Sequence, residues 1–276
     1  MVDMKLYMFS TGYIPVLGRL LRNDKALKLV KMPMVCFLIE DTHGLTLIDT
    51  GFGRMTLKNP ADFPGRFYSM VLSLQMKAGE DALSRIEALG YKAGDVKDII
   101  LTHLHIDHVG GIPDFPDANM HTTREEYAAM KERTDKMLSF YHSGAFQHGP
   151  KWIIHKLKKE ERFGFSSSLD VFGDGKIILV ATPGHTSGHI SVIISMQNRT
   201  VLHLGDAAMY EDHFMNPAVS SVGTKIFRWM SNTASGVEKE TRGILVDILR
   251  NHPYMTTICS HDSWAFERLS RYPDPF

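Results

Sequence analysis

Residues 102–111 read THLHIDHVGG, and this decapeptide constrains the chain more than any other feature. The residues before it, DIILT at 98–102, form a short apolar run of the kind that makes a buried strand. His103, His105, Asp107 and His108 then fall within six consecutive positions. In an extended continuation, side chains two apart project to one side, so the imidazoles of His103 and His105 can converge on one ion. Asp107 and His108 are adjacent and join that pair only through a turn, which lets them hold a second ion close by. Gly110 and Gly111 permit the sharp turn that must follow, where a Cβ would crowd the backbone.

Imidazole and carboxylate together suit zinc, iron, manganese or cobalt, and no nearby cysteine suggests a structural cysteine-zinc module. Two ions need more ligands than this segment holds, and the rest of the chain supplies them. TPGHTSGH places His185 just after the strand-like run 176–181, HLGDAA places Asp206 after 201–204, and TICSHD places His261 after 255–260. Four strand ends that each finish in a potential ligand are not what scattered surface histidines would produce, even in a chain with 14 of them. Asp49, closing the run 45–49, is placed to accept the other N–H of a metal-bound imidazole. Pro183, Gly184 and Gly188 argue against a helical pairing of His185 with His189, which reads as a structural histidine.

Further strand-like runs lie at 5–9, 34–40 and 190–195, and the segment DTHG at 41–44 reads as a hairpin turn. Helical patterning appears at 80–89, in a helix beginning at Thr123 with Glu125 and Glu126 in its first turn, and at 239–250. Strands in groups with helices between them predict a layered α/β architecture, here as one domain over 1–276. Three long irregular stretches, 10–33, 52–79 and 208–236, read as binding loops or lids. With Tyr141 and Phe146, their apolar residues, among them Tyr13, Ile14, Phe67, Met70, Phe214 and Met215, are candidates for a lipophilic groove.

Composition excludes several classes. Lys+Arg and Asp+Glu both number 31, and the densest basic stretch, KLKKEER at 156–162, carries its own acids and reads as a solvated face or loop. Nucleic acid is therefore not an expected partner. No signal peptide and no apolar run near 18 residues is visible, so neither export nor a membrane span is expected, and the expected location is the cytoplasm. Cys36 and Cys259 sit in apolar strand-like settings and read as free buried thiols.

With these residues in place, the chain resembles the metallo-β-lactamase superfamily. Its HxHxDH motif matches His103, His105, Asp107 and His108 without a gap, the spacings of 77, 21 and 55 residues from His108 through His185 and Asp206 to His261 fit, and LIDTG at 47–51 fits as well. The resemblance implies an αβ/βα sandwich of two mixed β-sheets flanked by helices, with metals at one edge. More narrowly, MPMVCFLIEDTHGLTLIDTG at 32–51, HLHIDHVGGIPDF at 103–115, TPGHTSGHIS at 182–191 and GDAAMYEDHF at 205–214 resemble the N-acyl homoserine lactonases, the quorum-quenching branch. That branch usually has an active-site tyrosine three residues after its bridging aspartate; here Met209 holds that position and Tyr210 follows it.

The resemblance implies a catalytic centre of two divalent ions, zinc being the expected one. His103, His105 and His185 would hold one ion, Asp107, His108 and His261 the other, and Asp206 would bridge both. It also implies that a hydroxide shared by the ions attacks the carbonyl of an acyl lactone, a small-molecule substrate. Asp107 would carry the proton to the leaving ring oxygen, Tyr210 would hydrogen-bond the carbonyl, and the product would be an N-acyl homoserine. The alternative in the same superfamily is a thioester hydrolase of the hydroxyacylglutathione type, or another lactonase or esterase. Glutathione thioesterases usually add a basic helical region at the C-terminus, so the 15 residues after His261 disfavour that expectation. A flavin-partnered di-iron module would carry glutamate where this chain has His105, and no G-x-G-x-x-G follows a strand.

Overall fold

The apolar runs are nearly continuous rather than strictly alternating, because both faces of the sheets they build are covered. A computed structural model describes residues 4–21, 28–60, 63, 65, 73–134, 140–210, 221 and 235–276. One sheet contains β1 (Lys5–Leu17), β2 (Leu29–Asp41), β3 (Gly44–Ile48), β4 (Val96–Ile100), β5 (Asn119–Thr123) and β6 (Lys151–His155), in that spatial order. Its first three strands pair antiparallel, and β3 to β6 run parallel. The other contains β7 (Ser168–Asp170), β8 (Ile177–Ala181), β9 (Ile190–Met196), β10 (Arg199–Gly205) and β11 (Thr256–Cys259) in the order β11-β10-β9-β8-β7, with β10 and β11 parallel.

Side-chain parity sorts these strands into four layers. Met8, Phe37, Ile48 and Ile100 meet Leu179, Val192, Val201 and Ile258 between the sheets. Phe9, Leu38, Leu47 and Ile99, one position out of phase, face outward onto Leu83 and Ile86 of a helix at Ala82–Ala88. On the far side, Ile178, Ile193 and Leu202 pack against Leu245 and Ile248 of the helix Ser235–Asn251. The expected sandwich of two mixed sheets flanked by helices is what the chain adopts. Numbered in chain order, the helices are α1 (Gly18–Leu21), α2 (Arg54–Lys58), α3 (Ala82–Ala88), α4 (Ile106–Val109), α5 (Arg124–Arg133), α6 (Ser235–Asn251) and α7 (Ser263–Leu269). Side chains cap three of them: Asp81 accepts from Ser84 N, Thr123 from Glu126 N and Asp262 from Ala265 N.

Several expectations need correction. Much of 10–33 is not loop, since β1 continues to Leu17 and β2 begins at Leu29, with a register shift between Ser10 and Tyr13. The strands β5 (NMHTT) and β6 (KWIIH) were not among the expected runs, the first being mostly polar and the second holding only a three-residue apolar run, Trp152 to Ile154. One face of β5 is instead satisfied by polar contacts, His121 lying 2.8 Å from Asp98 and 2.9 Å from His155. Gly110 and Gly111 have φ of −61° and −91°, open to any residue. The expected crowding is what excludes a side chain: a Cβ would stand 3.0 Å from the Gly51 carbonyl at Gly110 and 2.9 Å from the Thr50 carbonyl at Gly111. Phe67, Met70, Phe214 and Met215 lie outside the described residues. Among those described, no helix is long and apolar enough to cross a membrane, and both cysteines are buried.

Candidate metal centre

The ends of β3, β4, β8, β10 and β11 converge at one edge of the sandwich. Asp49 follows β3 in a left-handed conformation, φ 54°, and is fully buried. Its carboxylate accepts from Thr102 N at 2.8 Å, Thr102 Oγ1 at 2.7 Å and His108 Nδ1 at 2.8 Å. Thr102 Oγ1, having donated to Asp49, accepts from His103 Nδ1 at 3.2 Å. His105 is the residue before α4, where the extended segment turns helical and brings Asp107 and His108 round to face it. On the other sheet, His261 Nδ1 donates to the Pro33 carbonyl at 2.8 Å. Backbone, carboxylate and hydroxyl partners thus hold the Nδ1 atoms of His103, His108 and His261 and turn their Nε2 atoms toward one another.

All seven expected ligands come together. The ligand atoms of His103, His105 and His185 lie within 4.8 Å of one another, as do those of His103, His108 and Asp206, and those of Asp107, His108 and His261. Asp206 lies between the sets: Oδ1 is 3.4 Å from His108 Nε2, while Oδ2 is 3.2 Å from His261 Nε2 and 3.5 Å from His185 Nε2. Asp107 Oδ2 is 3.3 Å from His261 Nε2 and 3.8 Å from His108 Nε2. Its side chain is 17% exposed against 5% for Asp206, so Asp107 is the carboxylate that opens to solvent.

The donor set fits bound cations. His103 Nε2, His105 Nε2, His108 Nε2 and Asp206 Oδ1 are buried and have no hydrogen-bond partner, a costly state unless something else occupies them. Charge gives the same answer. Burial alone would favour neutral imidazoles, and with their histidine neighbours it holds His103 and His105 well below the usual range. For His108 and His261 the carboxylates outweigh burial: Asp206 and Asp49 push His108 well up, and Asp206 and Asp107 push His261 up to about 10. Burial would raise Asp107, but His108 and His261 hold it down to about 2. Without metal, protons on His108 and His261 are therefore the cations that balance the aspartates.

One supporting residue carried no sequence signal for such a role. Glu126, read only as a first-turn acid of α5, is fully buried. Its Oε1 accepts from Leu104 N and Tyr141 Oη, both at 2.9 Å, and its Oε2 from Thr186 Oγ1 at 2.6 Å and Gly188 N at 3.2 Å. One carboxylate thereby fastens the His103–His105 segment to the loop carrying His185. The contact is tight enough that a Cβ on Gly188 would fall 2.0 Å from Glu126 N. His189, read as a structural histidine, accepts the Asp206 amide N–H on Nε2 at 3.0 Å and so fixes Asp206 from behind. Tyr210 is buried against Trp264, ring centroids 5.8 Å apart, and its hydroxyl donates to the Leu21 carbonyl. In this arrangement its one proton is engaged away from the cluster.

Two outcomes follow from this geometry. Glu126→Ala should weaken metal retention by about 10- to 100-fold, read by chelator competition. Glu126→Gln should recover little, because an amide N–H2 would face N–H and O–H donors; unchanged retention in both variants would refute the clamp. Loading the metal-free protein at pH 7 should also release about two protons, from His108 and His261, so that loading weakens as pH falls. Calorimetry in buffers of different ionisation enthalpy measures this, and metal uptake with no proton release would contradict the charge assignment.

Comparison with known proteins agrees with this geometry. The family model described as the metallo-beta-lactamase superfamily matches residues 32–249. A probable metallo-hydrolase of Mycobacterium tuberculosis is 36% identical over 235 residues, spanning 82% of this chain and 73% of the relative. The N-acyl homoserine lactonase AttM of Rhizobium radiobacter is 29% identical over 277 residues, 99% of each chain. Among solved structures, an N-acyl homoserine lactone hydrolase with N-hexanoyl-L-homoserine bound at its catalytic metal center superposes with a TM-score of 0.76 at 21% identity, covering 100% of both chains. The chain belongs to the metallo-beta-lactamase superfamily.

Proposed function

We propose that this protein is a metal-dependent hydrolase that opens the lactone ring of N-acyl homoserine lactones. The observation that carries the reading is the seven-residue cluster, with Asp206 between two histidine sets, in a chain that aligns end to end with a named N-acyl homoserine lactonase. His103, His105 and His185 would hold one divalent ion, Asp107, His108 and His261 a second, and Asp206 would contact both, zinc suiting the imidazole and carboxylate donors. When bound, the ions supply Lewis acidity, polarising an ester carbonyl and lowering the pKa of water.

The protein's own part is to place groups and move a proton. Ring opening adds water across the C–O ester bond, so one proton must pass from the attacking water to the departing ring oxygen. Asp107 is suited to this transfer. It is held ionised, so its carboxylate can accept the proton, and it is the more exposed of the two central aspartates, open to a substrate entering from solvent. Asp49, Glu126 and His189 do no chemistry in this reading and keep the centre in register.

Purified metal-loaded protein should turn over N-acyl homoserine lactones in a pH-indicator assay and leave S-lactoylglutathione nearly untouched. Asp107→Asn should lower kcat by about 100-fold or more, the scale of a positioned acid–base group. Thioester turnover with inert lactones would sink the proposal. Because the Tyr210 hydroxyl donates to Leu21, Tyr210→Phe should leave kcat/KM within about threefold. Loss of a true oxyanion donor costs about 100- to 1,000-fold, and a drop of that size would restore Tyr210 to the catalytic role that the resemblance implies.

A further inference from the structure

A second cavity of about 330 Å³ lies apart from the cluster, between the bulge of β1, α3, α7 and the C-terminal segment, and no member of the seven-residue set lines it. Phe9, Tyr13, Phe266 and Tyr272 supply aromatic walls. Its polar lining is unusual because two groups in it are buried and unsatisfied. Ser263 is 2% exposed and its Oγ has no hydrogen-bond partner, and the Nε of Arg85 is likewise buried without one. Arg85 is pre-oriented: its guanidinium lies 5.2 Å from the centroid of the Tyr272 ring, and the Tyr272 hydroxyl donates to the Arg85 carbonyl at 2.6 Å. The two acids in the lining do not quench it. Glu80 accepts from Lys77 N at 2.7 Å and Glu267 is solvent-exposed, and neither forms an ion pair with Arg85. A second cation, Lys31, sits at the rim with Nζ 4.7 Å from the Tyr13 ring centroid.

Buried donors without acceptors are expensive, and a guanidinium presents a planar fork that matches a carboxylate. We propose that this cavity is a binding site for a small monocarboxylic acid with an apolar body, its carboxylate on Arg85 and Ser263 and its body between the aromatic walls. The volume is at the lower end for small-molecule sites and suits a medium-chain or aryl acid. Two sources share this chemistry: a free carboxylic acid, or the ring-opened acyl homoserine, the latter resting on the lactone reading above.

The test is a titration of octanoate into metal-loaded protein at pH 7, followed by the amide chemical shifts of Tyr13, Ser263 and Phe266, with octanol as the uncharged control. Saturable shifts are expected at these amides, weakened about tenfold or more by Arg85→Gln and severalfold by Ser263→Ala, with octanol inactive. No saturable shift at millimolar octanoate, equal shifts in Arg85→Gln, or equal binding of octanol would each overturn the site. N-hexanoyl homoserine in place of octanoate identifies the source: shifts at the same amides, lost in Arg85→Gln, assign the product, while a response to octanoate alone assigns a free acid. The octanoate result stands whether or not the enzyme opens lactones, so failure of the two readings is distinguishable.

Discussion

Three aspartates, Asp49, Asp107 and Asp206, are carried into one edge of the sandwich with little or no contact with water, and that negative charge has to be answered. A buried carboxylate without a counter-charge or hydrogen bonds is too costly to persist. Asp49 is answered by Thr102 and His108, and Asp206 and Asp107 by imidazoles alone. Imidazoles supply positive charge to match a carboxylate either by binding an extra proton or by sharing a cation with it. The geometry suits the second, because the Nδ1 atoms of His103, His108 and His261 are already committed to donating elsewhere, which turns every Nε2 inward and leaves those of His103 and His108 without a hydrogen-bond partner.

That constraint reaches into the packing of the sandwich. His103, His105, Asp107 and His108 come from the first sheet, and His185, Asp206 and His261 from the second, so the centre is also the seam between them. Backbone bonds close the same seam: Ile190 N donates to the Thr102 carbonyl and Val35 N to the Ser260 carbonyl, both at 3.0 Å. Glu126 adds a third tie, from α5 to both ligand-bearing loops. Ions held by this cluster would tie the two sheets together, so metal binding and sheet docking would be linked equilibria.

This linkage explains which parts of the structure the sequence disclosed. The seven-residue set was legible because chemistry constrains both residue type and position: strand ends and the turns that follow them place ligands at the edge, and imidazole and carboxylate suit divalent ions. The core strands were legible because burial on both faces forces long apolar runs, as in β2 and β8. Glu126 was not, since its role is set by which loops fold against α5, and an acid in a first turn is equally at home in solvent. Nor were β5 and β6, whose pairing relies on an Asp98–His121–His155 hydrogen-bond chain instead of apolar alternation. Tyr210 shows the same limit from the other side. Its place in the chain resembles a family position, but the direction of its hydroxyl depends on Leu21, 189 residues away.

The second cavity and the metal centre are not independent, because they share a wall. Pro33 lines the cavity, and its carbonyl is the acceptor that orients His261. Ser263, the buried hydroxyl of the cavity, is two residues beyond His261 and opens α7, whose N-terminal cap is Asp262. A ligand that draws Ser263 toward its carboxylate therefore acts on the same short segment that sets the imidazole at the centre. Coupling of this kind needs no long pathway, since the two sites bias a single element, residues 261–263, and any shift in its position is felt by both.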